Sequence, residues 1–102
     1  MKKTFVVMHK GMHSMDAPME VAGIIAIDST KPSEALLEDV YEKTNNIETE
    51  WTSNPEVVSS LRPRMRSTSV GDYIITEEGT IYMVDSVGFV EMKLVAKKLV
   101  TN

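Results

Sequence analysis

Two histidines, a helix-spaced set of carboxylates and three alternating arginines are the side chains whose types and spacing could do chemistry. "MHKGMHSMDAPM" sets His9 and His13 four apart, with Met8, Met12, Met15, Met19 and Asp16 close by. Imidazole with thioether suits Cu(I), and imidazole with carboxylate suits a divalent ion. Four-residue spacing aligns two histidines only on a helix, however, and Gly11 and the strand-like residues before it oppose one. The plainer reading is preferred: a loop whose methionines fill gaps between sheet and helix. No metal or other cofactor is therefore expected.

"KPSEALLEDVYEK" carries Glu34, Glu38 and Glu42 at i,i+4 spacing, with Asp39 beside them. On a helix they form an acidic ridge, at a cost of a few tenths of a kcal/mol for each like-charged pair. Such a ridge is ordinarily solvated surface, or else a face presented to a basic partner, with carboxylates imitating phosphates. Further on, "LRPRMRS" puts Arg62, Arg64 and Arg66 on one side of an extended chain, since Pro63 holds Arg62 out of the α region. Guanidinium forks grip carboxylates or phosphates bidentately. Pairing with the helix's own glutamates is preferred. The alternative is nucleic-acid contact, made together with Lys93, Lys97 and Lys98.

For catalysis the sequence is thin. It has no G-x-S-x-G elbow and no glycine-rich phosphate loop. Asp72 and Asp85 flank an expected hairpin and could approach each other as an acid–base pair, yet an aspartate beside a glycine at a turn is more often there to bond its own backbone. The chain is not expected to be an enzyme.

The elements that must position these groups fit in one domain, because the chain has 102 residues and leaves no room for two independent cores. Hydrophobic residues at 42% and charged residues at 25% are ordinary globular usage. No apolar run approaches the roughly 20 residues of a bilayer span. The opening "MKKTFVVMHKGMHS" is too short in apolar residues for a secretory leader, so a cytoplasmic location is expected. The absence of cysteine excludes disulfides and thiolate chemistry. A net charge of −4 argues against a general nucleic-acid binder.

"TFVVM" (residues 4–8) and "EVAGIIAID" (residues 20–28) read as two strands able to form a hairpin, with Gly23 marking a bulge or a close backbone approach. Residues 33–46 read as an amphipathic helix capped by Ser33, with Leu36, Leu37, Val40, Tyr41, Thr44 and Ile47 inward, ended by a left-handed Asn45 or Asn46. "NPEVVSSL" reads as a short second helix begun by Asn54 and Pro55, after a Trp51 that packs on the sheet. "YIIT" and "TIYMV" form a hairpin turned by Gly79. "VEMKLVAKKLV" begins as a strand and suits strand or helix beyond. The expected class is α+β: an antiparallel sheet of four or five strands with one main helix packed on it. An uncovered sheet edge would leave self-association open.

"RSTSVGDYI" joins these halves. Gly71 supplies a permissive backbone, Asp72 caps the turn through its side chain, and Tyr73 enters the sheet. A helix ending in "VYEKTNN", an acidic connection, "RSTSVGDYI" and then "GTIYMVDSVGF" resemble the YodL-like family, small proteins and domains of phages, plasmids and other mobile elements. Arg66, Ser67, Ser69, Val70, Gly71, Asp72, Tyr82, Gly88 and Phe89 carry the resemblance, which spans residues 36 to 92. Thr68 stands where the family usually has an apolar residue, and Tyr73 where it has an aliphatic one. The resemblance implies a mobile-element setting, in the host cytoplasm if phage-encoded, and an accessory role. It supplies no catalytic residue. The function expected is that of a non-catalytic protein docking onto a host protein, with the ridge Glu34, Glu38, Asp39 and Glu42 as its contact surface.

Overall fold

β-Branched and aromatic residues dominate the segments that extend, and turn residues punctuate them closely. The computed structural model describes residues 1–11, 18–96 and 98–102. In chain order the elements are β1 (Lys2–His9), β2 (Glu20–Asp28), a 3-10 turn Ser33–Leu36 running into α1 (Leu37–Lys43), a 3-10 turn Trp51–Ser53, β3 (Val57–Ser60), β4 (Tyr73–Thr76), β5 (Ile81–Val84), β6 (Phe89–Val95) and β7 (Lys98–Thr101). The strands form one seven-stranded sheet in the order β3-β2-β1-β4-β5-β6-β7, antiparallel throughout.

This is nearly an all-β protein, which corrects the α+β expectation of four or five strands under a main helix. Two segments make the difference. "VVSS" pairs with the outer edge of β2 instead of forming a helix. The tail folds back on itself at Ala96, which takes φ 51°, so both of its halves are strands. The helical part is also short. It starts after Pro32, and Ser33 is its first residue rather than its cap. It stops at Thr44, whose backbone N–H and side-chain hydroxyl both donate to Val40 O. Neither Asn45 nor Asn46 is left-handed, and Ile47 is exposed rather than inward.

The β1–β2 hairpin, the β4–β5 hairpin with Gly79 at φ 92°, and the burial of Trp51 follow the sequence reading. Phe5, Val7, Ile25, Ile74, Leu36 and Val40 join Trp51 in a core between one sheet face and the helical segments. Alternation along the strands sets a second face opposite it. Across that face run two rows of directly paired residues. One passes through Ile24, Val6, Ile75, Ile81 and Met92. Its neighbour passes through Val21, Met8, Tyr73, Met83 and Val90. All are half-buried except Val21, which is exposed.

Candidate functional site

Asp72 is the most constrained polar group in the fold. It follows Gly71, whose φ of 92° suits glycine and whose N–H donates to Val84 O. It is fully buried, and its carboxylate is bound on every side. Arg66 donates to it bidentately, Nη1 to Oδ2 at 2.7 Å and Nη2 to Oδ1 at 2.8 Å. The N–H of Lys10 reaches Oδ1 at 2.9 Å and that of Ser69 reaches Oδ2 at 2.8 Å. Asp72 thus caps its own turn, as the sequence suggested. It also ties the β1 end and the 66–69 segment into one knot. Arg66 completes the knot by donating to Lys10 O and Ser67 O.

His9 sits beside this pair, because the register of β1 on β4 runs Phe5↔Thr76 to Met8↔Tyr73 and one further step sets His9 opposite Asp72. Its ring is 2% exposed and lies edge-on to Trp51, with centroids 6.1 Å apart. Nε2 is 2.9 Å from Thr68 Oγ1 and 3.9 Å from Asp72 Oδ2, while Nδ1 is buried without a partner. Trp51 in turn donates from Nε1 to Arg66 O, and its backbone N–H donates to Asn46 Oδ1. Asn46 also donates to Met65 O and, from its backbone, to Ser67 Oγ.

The electrostatics follow from burial and partners. Burial pushes the Asp72 carboxyl upward, but the hydrogen bonds from Arg66, Lys10 and Ser69 outweigh it, so its pKa lies below the ordinary 3.8. Burial lowers the His9 pKa below 6.5, and the attraction of Asp72 only partly offsets this. A protonated His9 would moreover strand a second N–H in a site with no acceptor for it.

Histidine, threonine and aspartate together invite a catalytic reading, and the geometry argues against it. In a nucleophilic triad the aspartate holds the imidazole nitrogen remote from the hydroxyl. Here the same Nε2 faces both Thr68 and Asp72, and Thr68 is buried. The cluster is built as a structural knot. Because His9 is neutral in the fold and protonates on unfolding below pH 6.5, its contribution to stability is complete above 6.5 and is lost as the pH falls from there toward its lower folded value. Thermal melts between about pH 7.5 and about pH 5 should therefore show wild type losing on the order of 1 kcal/mol per unit of pKa depression, with a flatter profile for His9→Gln. Identical slopes would assign that loss to another group.

The other expected site residues are dispersed. Arg62 pairs with Glu20 at 2.6 Å, Arg64 with Glu50 at 3.5 Å and Arg66 with Asp72. The arginines are therefore neutralised internally, but not by the helix. Among the described residues no basic side chain pairs with Glu34, Glu38, Asp39 or Glu42, and the three glutamates are exposed. Asp85 accepts from the backbone of Ser86 and does not join Asp72. Gly88 takes φ 80° in the β5–β6 turn, and Phe89 packs edge-on to Tyr41. Lys93 and Lys98 are exposed on the last hairpin, and Lys97 lies outside the described residues. So do Met12, His13, Met15 and Asp16, so the metal reading of that loop falls there too. Among the described residues no group of three histidine or carboxylate side chains could hold a metal ion, and no helix is long and apolar enough to cross a membrane.

The acidic face has more shape than a bare ridge. A cavity of about 160 Å³ opens beside it, lined by Glu38, Tyr41, Asp85 and Phe89 among others. Glu34, Glu78 and Glu91 come close enough to Tyr82 to add to the effect of burial in raising its phenol above 10.0. The acidic surface therefore continues from α1 onto the sheet. The part contributed by Glu78 and Glu91 was not legible in the sequence, because it depends on the pairing of β5 with β4 and β6, which sets Glu91 opposite Tyr82. No protein-family model, curated protein or solved structure matches this chain.

Proposed function

We propose that this chain is a small non-catalytic accessory protein, of the phage and mobile-element kind, that docks onto a basic surface of a host protein. Glu34, Glu38, Asp39 and Glu42 make the contact. The observation that carries the reading is the division of charge. Each arginine of residues 62–66 has its own carboxylate, whereas the helix carboxylates have no basic partner among the described residues. The notch between Glu38, Asp85, Tyr41 and Phe89 adds aromatic walls to negative charge, a setting suited to a lysine or arginine side chain. A nucleic-acid contact would have to break the arginine pairs or rest on the lysines of the last hairpin.

The experiment is affinity capture from host lysate on the immobilised chain, with the triple variant E34K/E38K/E42K in parallel. Wild type should retain a partner, with binding that weakens by about tenfold or more as ionic strength rises, and the variant should retain none. Retention unchanged by charge reversal would move the interface elsewhere on the molecule. The variant should melt within about 0.5 kcal/mol of wild type, because its substitutions are at exposed positions.

A further inference from the structure

Residues 65–68 lie outside every helix and strand, yet they join the helical layer to the sheet. Toward the helix, the N–H of Thr68 donates at 2.9 Å to the carbonyl of Thr44, the residue that ends α1. Asn46, just beyond, donates from its side chain to Met65 O and from its backbone to Ser67 Oγ. Toward the sheet, Arg66 binds Asp72 and Lys10 O, and Thr68 Oγ1 lies 2.9 Å from His9 Nε2. The end of α1 is thus two bonded steps from His9, through Thr68 alone.

Of these contacts, the one at His9 is open to a proton in mild acid. The Arg66–Asp72 pair stays charged there, because Asp72 is held below 3.8. His9 is buried against Trp51 and Thr68, and its Nδ1 has no partner. A charged imidazolium is a donor at both nitrogens. An Nδ1–H left without an acceptor would carry the full cost of its lost hydration. The charged ring must therefore turn out of its slot to reach water, which ends its contact with Thr68. Among the described residues, Asp72 at the start of β4 and Glu20, opposite His9 on β2, favour the charged ring. Arg66 disfavours it, and burial does so more strongly than either carboxylate compensates. Lys10 brings a further positive charge to the same corner, its Nζ 2.6 Å from where a Cβ on Gly71 would stand.

We propose that His9 and Thr68 form a proton-operated latch between the sheet and α1. Protonation of the ring releases Thr68, and the end of α1 loosens from residues 65–68 while the sheet stays paired. The Arg66–Asp72 bond keeps the segment tethered, so the change is a local opening and is reversed when the proton leaves. Release of the acidic helix face from a bound partner in mild acid would follow, a consequence that rests on the docking reading. The latch itself does not.

Native-state hydrogen exchange on the full chain in low urea tests the latch. The Thr68 N–H should exchange through an opening almost insensitive to urea, unlike the paired amides of β1, which need global unfolding. Corrected for the intrinsic exchange rate, that opening should become about tenfold or more populated between about pH 7.5 and about pH 5. His9→Gln, which cannot titrate, should flatten the rise. Because the variant could misfold, wild type gives a second measurement. The amide signals of Thr68 and Asn46 should titrate with the same midpoint as the His9 ring protons. The proposal is overturned if Thr68 exchanges only by global unfolding, or if its opening is equally populated at both pH values. An undiminished rise in His9→Gln, or a ring midpoint that the two amides do not follow, overturns it as well. None of these readouts involves a partner, so failed capture from lysate would leave the latch standing and a failed latch would leave the docking surface standing.

Discussion

Asp72→Ala should lower the stability of the fold by about 3–5 kcal/mol, as expected when one partner of a buried ion pair is removed. That is a large part of the 5–15 kcal/mol that holds a typical domain together. The size of the effect comes from what is left behind. The Arg66 guanidinium loses its bidentate acceptor and the N–H groups of Lys10 and Ser69 lose theirs, all around a carboxylate site with no solvent exposure. Urea denaturation with an unchanged slope would read the loss directly. A loss under about 1 kcal/mol would mean that the knot is not what joins β1 to the 66–69 segment. The pH dependence gives an independent check. Asp72 is held below 3.8 in the fold, so its contribution is complete above 3.8 and is lost as the pH falls from there through the folded value. The variant should lack that last acid-induced loss and keep the earlier one from His9.

How much of this was legible depended on whether a signal was local. The two hairpins, Gly23 and the turn at Gly71 announce themselves through β-branched runs and glycines, and each stands where it was read. Residues 33–43 were legible as helical, but not the stop at Thr44, since Asn45 and Asn46 there serve as hydrogen-bonding hubs rather than left-handed caps. "NPEVV" has a good helix-start signature, and four residues of β2 edge pairing outweigh it. A strand so short is set by its neighbour, not by its own propensity. Arg66 and Asp72 were legible as motif residues, but not their bond to each other or to Lys10. His9 was read as part of a methionine-rich loop, with metal binding as the less favoured alternative, because a single strand shows no cross-strand partner. Pairing "FVVMH" with "YIIT" in antiparallel register would have set His9 beside Asp72, and that was the one signal available. The open sheet face was not legible either, because it exists only once five apolar strands are laid side by side.

Trp51→Ala carries the second large expected effect, about 3–5 kcal/mol by the usual cost of deleting a buried large aromatic. Trp51 is fully buried, covers His9 edge-on, and donates from Nε1 to Arg66 O at 2.8 Å, so its removal opens the core and loosens the knot together. The sheet was made to receive it. A Cβ on Gly23 would stand 2.9 Å from Ser59 O and 3.1 Å from the indole Cη2, so no side chain fits between β2 and the ring without movement. Gly23→Ala should therefore cost about 1–3 kcal/mol by overpacking. The two costs should not add. In the Trp51→Ala background the ring contact is gone and only the Ser59 carbonyl opposes the new methyl, so the glycine substitution should cost less there by at least about 0.5 kcal/mol. Urea denaturation of the two single variants and the double variant, followed by circular dichroism, closes this cycle. Strictly additive losses would show that the β2–β3 backbone contact, and not the indole, is what requires a glycine at position 23.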